Sequence, residues 1–180
     1  MTFDLGDGIR LRPVGSGDAA AYAAAYDANR AHLARWDPVR DESFYTVAWQ
    51  DGLVAQYLRD HADGRAARFV LALDDGRIVG ITNVVNIVRG AFHSADLGYW
   101  VDASLVGRGV MSRAVALVIG HARDQLGLHR LQAATLVENA ASQRVLMRNG
   151  FAQIGLAPRY LRIAGQWQDH LLFQRILSDD

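Results

Sequence analysis

The sequence has no cysteine and no lysine, and only three prolines in 180 residues. Without cysteine there is no disulfide, no thiolate metal ligand and no covalent thiol mechanism, which fits a reducing cytoplasm. Without lysine every basic residue is arginine, and the 19 arginines equal Asp plus Glu at 19. No global field therefore draws the protein to nucleic acid or to an anionic membrane. No run of about 18 apolar residues suggests a membrane span. The start, Met1 to Asp7, has neither the basic nor the apolar segment of a secretory signal. Two common phosphate loops are missing as well. There is no Gly-x-x-x-x-Gly-Lys-Ser/Thr, and the dinucleotide pattern Gly-x-Gly-x-x-Gly would need glycine where Ser112 stands. His93, His129 and His170 match no metal-ligand spacing, so no metal is expected.

What remains is a chain that is 51% apolar and long enough for one domain, residues 1–180, with a sizeable core. Its most informative stretch is Leu105 to Ser112. Before it, Ala95 to Val101 carries the aromatic and β-branched residues of a half-buried strand. After it, Val110, Ala114, Leu117, Val118, Ala122 and Leu126 recur at the three- and four-residue steps of one helix face. Between them Gly107 and Gly109 flank Arg108. Glycine accepts backbone conformations that other residues resist, and a helix start presents unpaired N–H groups at the positive end of its dipole. Strand, Gly-x-Gly, helix is thus either a plain connection or a cradle for phosphate oxygens.

The rest of the chain reads as one α/β unit. Ile9 to Val14 is a strand that ends at Pro13, and Asp18 is placed to cap an alanine-rich helix from Ala19 to about Trp36. Asp37-Pro38 breaks that helix. A second helix runs from about Thr46 to His61. Arg68–Leu73 and Ile78–Arg89 form strands around the turn Asp74-Asp75-Gly76-Arg77, and Asp96–Val101 follows as a third. Beyond the central helix come a strand at His129–Val137, a short helix capped by Asn139 and stopped at Asn149-Gly150, and closing strands at Phe151–Gly155 and Leu171–Leu177. Leu161, Ile163 and Trp167 fall somewhere between the last two. This order gives a mixed α/β fold around one sheet without fixing its topology.

Gly107-Arg108-Gly109-Val110-Met111 resembles the pyrophosphate loop of the GNAT superfamily of N-acetyltransferases. Asp96 to Val101 resembles the strand before that loop in the Rim-type branch, which acetylates ribosomal-protein N-termini. Val137 to Ser142 followed by Arg148-Asn149-Gly150-Phe151 resembles that branch's Asn-x-x-Ser helix start and Gly-Phe close, and Trp167 to His170 resembles its last strand. The matches keep the family's order over nearly the whole chain. The resemblance implies a strongly twisted mixed sheet of about six to seven strands, with helices on both faces, splayed open where the loop strand and the next strand part.

It also implies a reaction: acetyl-coenzyme A lies in the splay and gives its acetyl group to a primary amine by direct attack. Arg108, Gly109, Met111 and Ser112 would bind pyrophosphate through main-chain amides, and the backbone of Trp100 and Val101 would pair with pantetheine. Asn139 would contact the cofactor, and Ser142 would donate to the leaving sulfur. Taken alone, Asn139 is equally an ordinary helix cap, Ser142 a small helical residue, and Trp100 a core aromatic. Arg35 and Trp36 fall where the family builds its acceptor wall, though Trp36 also suits a packing anchor. The sequence departs from the family in three places. Val106 and Met111 replace commoner loop residues, Leu146 stands where many members carry a tyrosine as general acid, and Leu161 falls near the position where parts of the Rim branch carry a glutamate proposed as base, with no carboxylate in its place. Asp96 and Glu138 are the remaining candidates for the base. A weak base tilts the acceptor towards an α-amine, with pKa about 7.7–8.0, over a lysine ammonium near 10.4. The rivals are a small-molecule amine acetyltransferase (polyamine, amino acid or antibiotic), a transferase of another acyl group such as succinyl, and a non-catalytic acyl-coenzyme A-binding regulator. A homodimer is a family expectation.

Overall fold

The computed structural model describes residues 2–178. A two-residue strand, β1 (Phe3–Asp4), pairs antiparallel with β2 (Ile9–Pro13). Two helices follow, α1 (Ala19–Ala28) and the single turn α2 (Arg30–Leu33), and then α3 (Val47–Ala62). The strands β3 (Ala67–Leu73), β4 (Ile78–Val88) and β5 (Ser94–Val101) form a meander, and α4 (Val110–Asp124) leaves the loop after β5. The chain closes with β6 (Arg130–Leu136), α5 (Ala140–Arg148), β7 (Ala152–Ile163) and β8 (Gln166–Ile176). One sheet holds all eight strands in the order β1-β2-β3-β4-β5-β6-β8-β7. This is the mixed sheet the sequence predicts, with β1 added at its rim. Among the described residues, no helix is long and apolar enough to cross a membrane.

Period-two alternation divides the core between the two sheet faces. Leu11, Phe69, Leu71 and Leu97 bury one face against Val110, Ala114, Val115 and Val118 of α4, which is the predicted stripe shifted slightly round the helix. Ala114 and Val115 have no exposed surface. A larger side chain at Ala114 would have to displace packed neighbours. Val70, Ala72 and Ile81 bury the opposite face under Tyr22 of α1 and Val54 of α3.

Three local expectations are corrected. Asp18 occupies the N-cap of α1, but its side chain makes no capping bond; its carboxylate accepts the Gly15 N–H and pairs with Arg12 at 2.7 Å. The alanine-rich helix stops at Ala28, because the buried Asn29 turns its Nδ2 onto the Ala25 carbonyl and onto Asp102. The last two strands are longer than predicted and form a hairpin that includes Leu161, Ile163 and Trp167. Bulges between Gln153 and Gly155 and between Ala157 and Leu161 break its alternation, which hides the strand in the sequence.

The pairing of β5 opens a cleft in the sheet. β5 pairs with β4 along most of its length, but it meets β6 in parallel only at Ser94–Asp96 opposite Arg130–Gln132. Beyond those three pairs Leu97–Val101 and Ala133–Leu136 diverge, and the sheet opens.

Candidate active site

A cleft of about 510 Å³ occupies this opening. Its floor is the turn from β5 into α4. Gly107 and Gly109 hold φ +82° and +73° there, left-handed values that favour glycine. Gly109 is the N-cap of α4, and no side chain caps the helix. The N–H groups of the first turn, from Val110, Met111 and Ser112, therefore have no intrahelical acceptor and sit at the positive end of a fifteen-residue helix. Gly109, Met111 and Ser112 line the cleft, as their sequence positions predict. Arg108 does not. Its N–H is directed to the Leu105 carbonyl at 3.3 Å, its own carbonyl receives Arg113, and its side chain is exposed.

The wall formed by β5 has a definite polarity. The Asp102 N–H bonds the Val79 carbonyl at 2.8 Å. Antiparallel pairs alternate between bonded and non-bonded residues, so with Ile81 opposite Trp100 it is Trp100 that faces β4. Tyr99 and Val101 direct their backbone N–H and C=O groups into the splay. Trp100 borders the cleft, but its backbone is committed to the sheet, and its ring packs 5.2 Å from Tyr26. The backbone groups left free at this edge are those of Tyr99 and Val101.

The opposite wall is α5. Asn139 caps it by accepting the Ser142 N–H at 3.0 Å, and both residues line the cleft. The Tyr99 hydroxyl crosses from β5 to lie 2.9 Å from Ser142 Oγ and 3.1 Å from the Ser142 carbonyl oxygen. Burial pushes the Tyr99 phenol well above its ordinary pKa, and the Ser142 hydrogen bond only partly opposes this. Tyr99 escaped the sequence reading, although the alternation that sets Leu97, Tyr99 and Val101 on one face would have found it. Leu146, at the position where many members carry tyrosine, is fully buried in the core.

The third wall is α2 and the turn after it. Asn29 fixes this wall to the end of β5, giving Nδ2 to Asp102 at 2.8 Å and accepting the Ala103 N–H at 3.1 Å. His32, Arg35 and Trp36 line the cleft, with the Arg35 guanidinium 4.0 Å from the Trp36 ring centre. His32 Nε2 lies 3.2 Å from the Val101 carbonyl oxygen. Arg40 instead pairs with Asp37 and borders a separate, smaller cavity. The two candidate bases are elsewhere. Asp96 accepts from Asn86 Nδ2 at 2.8 Å, Glu138 is exposed ahead of α5, and neither lines the cleft. Among the described residues the charged side chains that do are Arg35, Arg144 and Arg148, with no carboxylate beside them.

Residues 9–152 match the acetyltransferase (GNAT) domain family. The chain is 38% identical over 170 residues to the ribosomal protein uS5-alanine N-acetyltransferase of Escherichia coli, covering 92% of this chain and 86% of that one. It superposes with a TM-score of 0.95 on the ribosomal-protein-S5-alanine acetyltransferase of Vibrio fischeri, at 34% identity and with 99% and 98% of the two chains covered. Mycobacterium smegmatis RimJ, solved with a coenzyme A disulfide, gives 0.88 at 36% identity over 93% of this chain and 81% of its own. The chain belongs to the GNAT family of N-acetyltransferases, and Rim-type ribosomal-protein acetyltransferases are among its relatives.

Proposed function

We propose that this N-acetyltransferase takes its acetyl group from acetyl-coenzyme A and passes it to the α-amine of a protein N-terminus. The observation that carries the reading is the pairing, in one cleft, of an uncapped helix start with a free strand edge. Open amides at Val110, Met111 and Ser112, helped by the arginines of the cleft, suit a pyrophosphate. The Tyr99 and Val101 backbone suits the two amides of pantetheine. The acetyl thioester supplies an activated carbonyl. Ser142, fixed by Asn139, donates to the sulfur as it leaves.

The acceptor follows from what the walls carry. Among the described residues a polyamine would meet arginines and no carboxylate in the cleft, so like charges would oppose it. An α-amine on a peptide has one positive charge and is partly neutral near pH 8. The uS5-alanine acetyltransferases of E. coli and V. fischeri act on such an amine, which supports the same class here.

The test has two stages. A ligand at a hundredfold excess over its Kd adds about 2.7 kcal/mol to stability. For a chain of this length that is a rise in Tm of about 5–11 °C. Acetyl-coenzyme A should give this shift and adenosine triphosphate should not. Thiol release is then followed with an alanine-initiated peptide and with spermidine. Turnover with the peptide alone supports the reading; turnover with spermidine alone overturns it.

A further inference from the structure

We propose that His32 is the base that takes the proton from the attacking amine. The inference rests on the acetyl-transfer reading above and adds the group that reading lacks. Among the described residues lining the cleft, the side chains that ionise are Arg35, Arg144, Arg148, Tyr99 and His32. Arginine does not give up its proton in a protein, and burial holds the Tyr99 phenol protonated. His32 is the one left with a nitrogen lone pair that can accept a proton.

Its geometry suits the role. The Val101 carbonyl can only accept, so the nitrogen 3.2 Å from it, Nε2, carries the hydrogen. The lone pair therefore stands on Nδ1, which has no partner among the described residues. The ring is held where α2 meets the free edge of β5, beside the strand that pairs with pantetheine. Asn29 pins that junction from beneath. The charged groups around the ring are Asp102 past the end of β5, Arg35 on its own wall, and Arg144 and Arg148 on α5 across the cleft. Burial pushes the Asp102 carboxyl up, but hydrogen bonds from Ser104 and Asn29 and a further pull from His32 bring it below its ordinary value. Asp102 thus stays an anion beside the ring and stabilises the imidazolium as it forms.

The step balances. His32 Nδ1 takes the ammonium proton and passes it to water, which frees the nitrogen lone pair. That pair forms the C–N bond, and the C–S bond breaks with its electron pair going to sulfur. The acylated nitrogen gives its second proton to solvent, and sulfur takes a proton from the Ser142 hydroxyl, which is restored from solvent.

His32→Gln keeps a donor for the Val101 carbonyl and removes the base. With acetyl-coenzyme A and an alanine-initiated peptide it should lose about a hundredfold or more in kcat at pH 7. KM for acetyl-coenzyme A and the acetyl-coenzyme A thermal shift should stay as in the wild type. The deficit should shrink as pH rises and the amine loses its own proton. His32→Gly should regain turnover with added imidazole, which serves as the check if the glutamine variant folds poorly. An unchanged kcat and pH profile in His32→Gln overturns the proposal, as does a raised KM with kcat unaltered, since His32 would then only brace the strand. A wild type inert towards the peptide but active on another amine overturns the acceptor reading alone, and His32→Gln is then assayed on that amine. A wild type inert towards every amine overturns both.

Discussion

Tyr99 on β5 and Ser142 on α5 bring their hydroxyl oxygens within 2.9 Å of each other across the open sheet. The phenol also lies 3.1 Å from the Ser142 carbonyl oxygen, and it has one proton to give. When that proton goes to the carbonyl, the serine hydroxyl is drawn towards the phenol. When it goes to Oγ, the serine proton is released to the cleft. Tyr99 thereby sets the direction in which Ser142 donates. Tyr99→Phe and Ser142→Ala should each lower kcat about tenfold, and the double variant should lose less than the product of the two. Initial rates on the four proteins check this, and strict additivity would separate the two residues.

Gly109→Ala tests the loop. A Cβ at this position would meet Arg113 Nη1 at 3.5 Å, an ordinary contact, so the cost lies in the backbone at φ +73°. A left-handed alanine costs about 1–2 kcal/mol, which at this chain length lowers Tm by about 2–8 °C. If alanine instead relaxes the turn, the amides of α4 move. The acetyl-coenzyme A thermal shift should then shrink while adenosine triphosphate still gives none.

The Arg12–Asp18 pair tests the acid side of stability. Burial pushes the Asp18 carboxyl up, but hydrogen bonds from Arg12 and the Gly15 amide, with the Arg12 charge, outweigh it and hold the carboxyl below its ordinary value. A group lowered in the folded state adds stability above its unfolded pKa, about 3.9, and loses it as pH falls through the folded value. Asp18→Asn should cost about 1–3 kcal/mol at pH 7. Urea unfolding should show the gap between wild type and variant narrowing below about pH 4.

Arg35 tests the acceptor. It lies over Trp36 and has no carboxylate partner among the described residues. Alanine-initiated peptides with glutamate at the following positions should exceed their lysine counterparts in kcat/KM by up to about fivefold. Arg35→Glu should reverse that order, and high salt should flatten it.

The chemistry-bearing local motifs were legible because each is short and self-contained. Asn139 caps α5 through the Ser142 amide, as its spacing predicts, and Gly107 and Gly109 adopt the left-handed conformations their pattern suggests. Contacts distant in sequence were not legible. Asn29 reads as one polar residue in a helix-forming run, yet its amide ties α1 to Asp102, 73 residues on. His32 carries no motif, and it gains a role only when α2 folds against Val101. Asp96 and Glu138 were drawn to the site by nearness in sequence, and the alternation of β5 and the start of α5 turn them elsewhere.

A bare strand edge at the rim of a sheet is open to any extended chain that drifts past. Here the bare edge lies within the sheet, between β5 and β6, where the strands part after three register pairs. A molecule that enters such a gap can run alongside Tyr99 and Val101 as a strand would. The split thus confines the exposed edge to the inside of a cleft, away from the passing chains that threaten an edge at the rim.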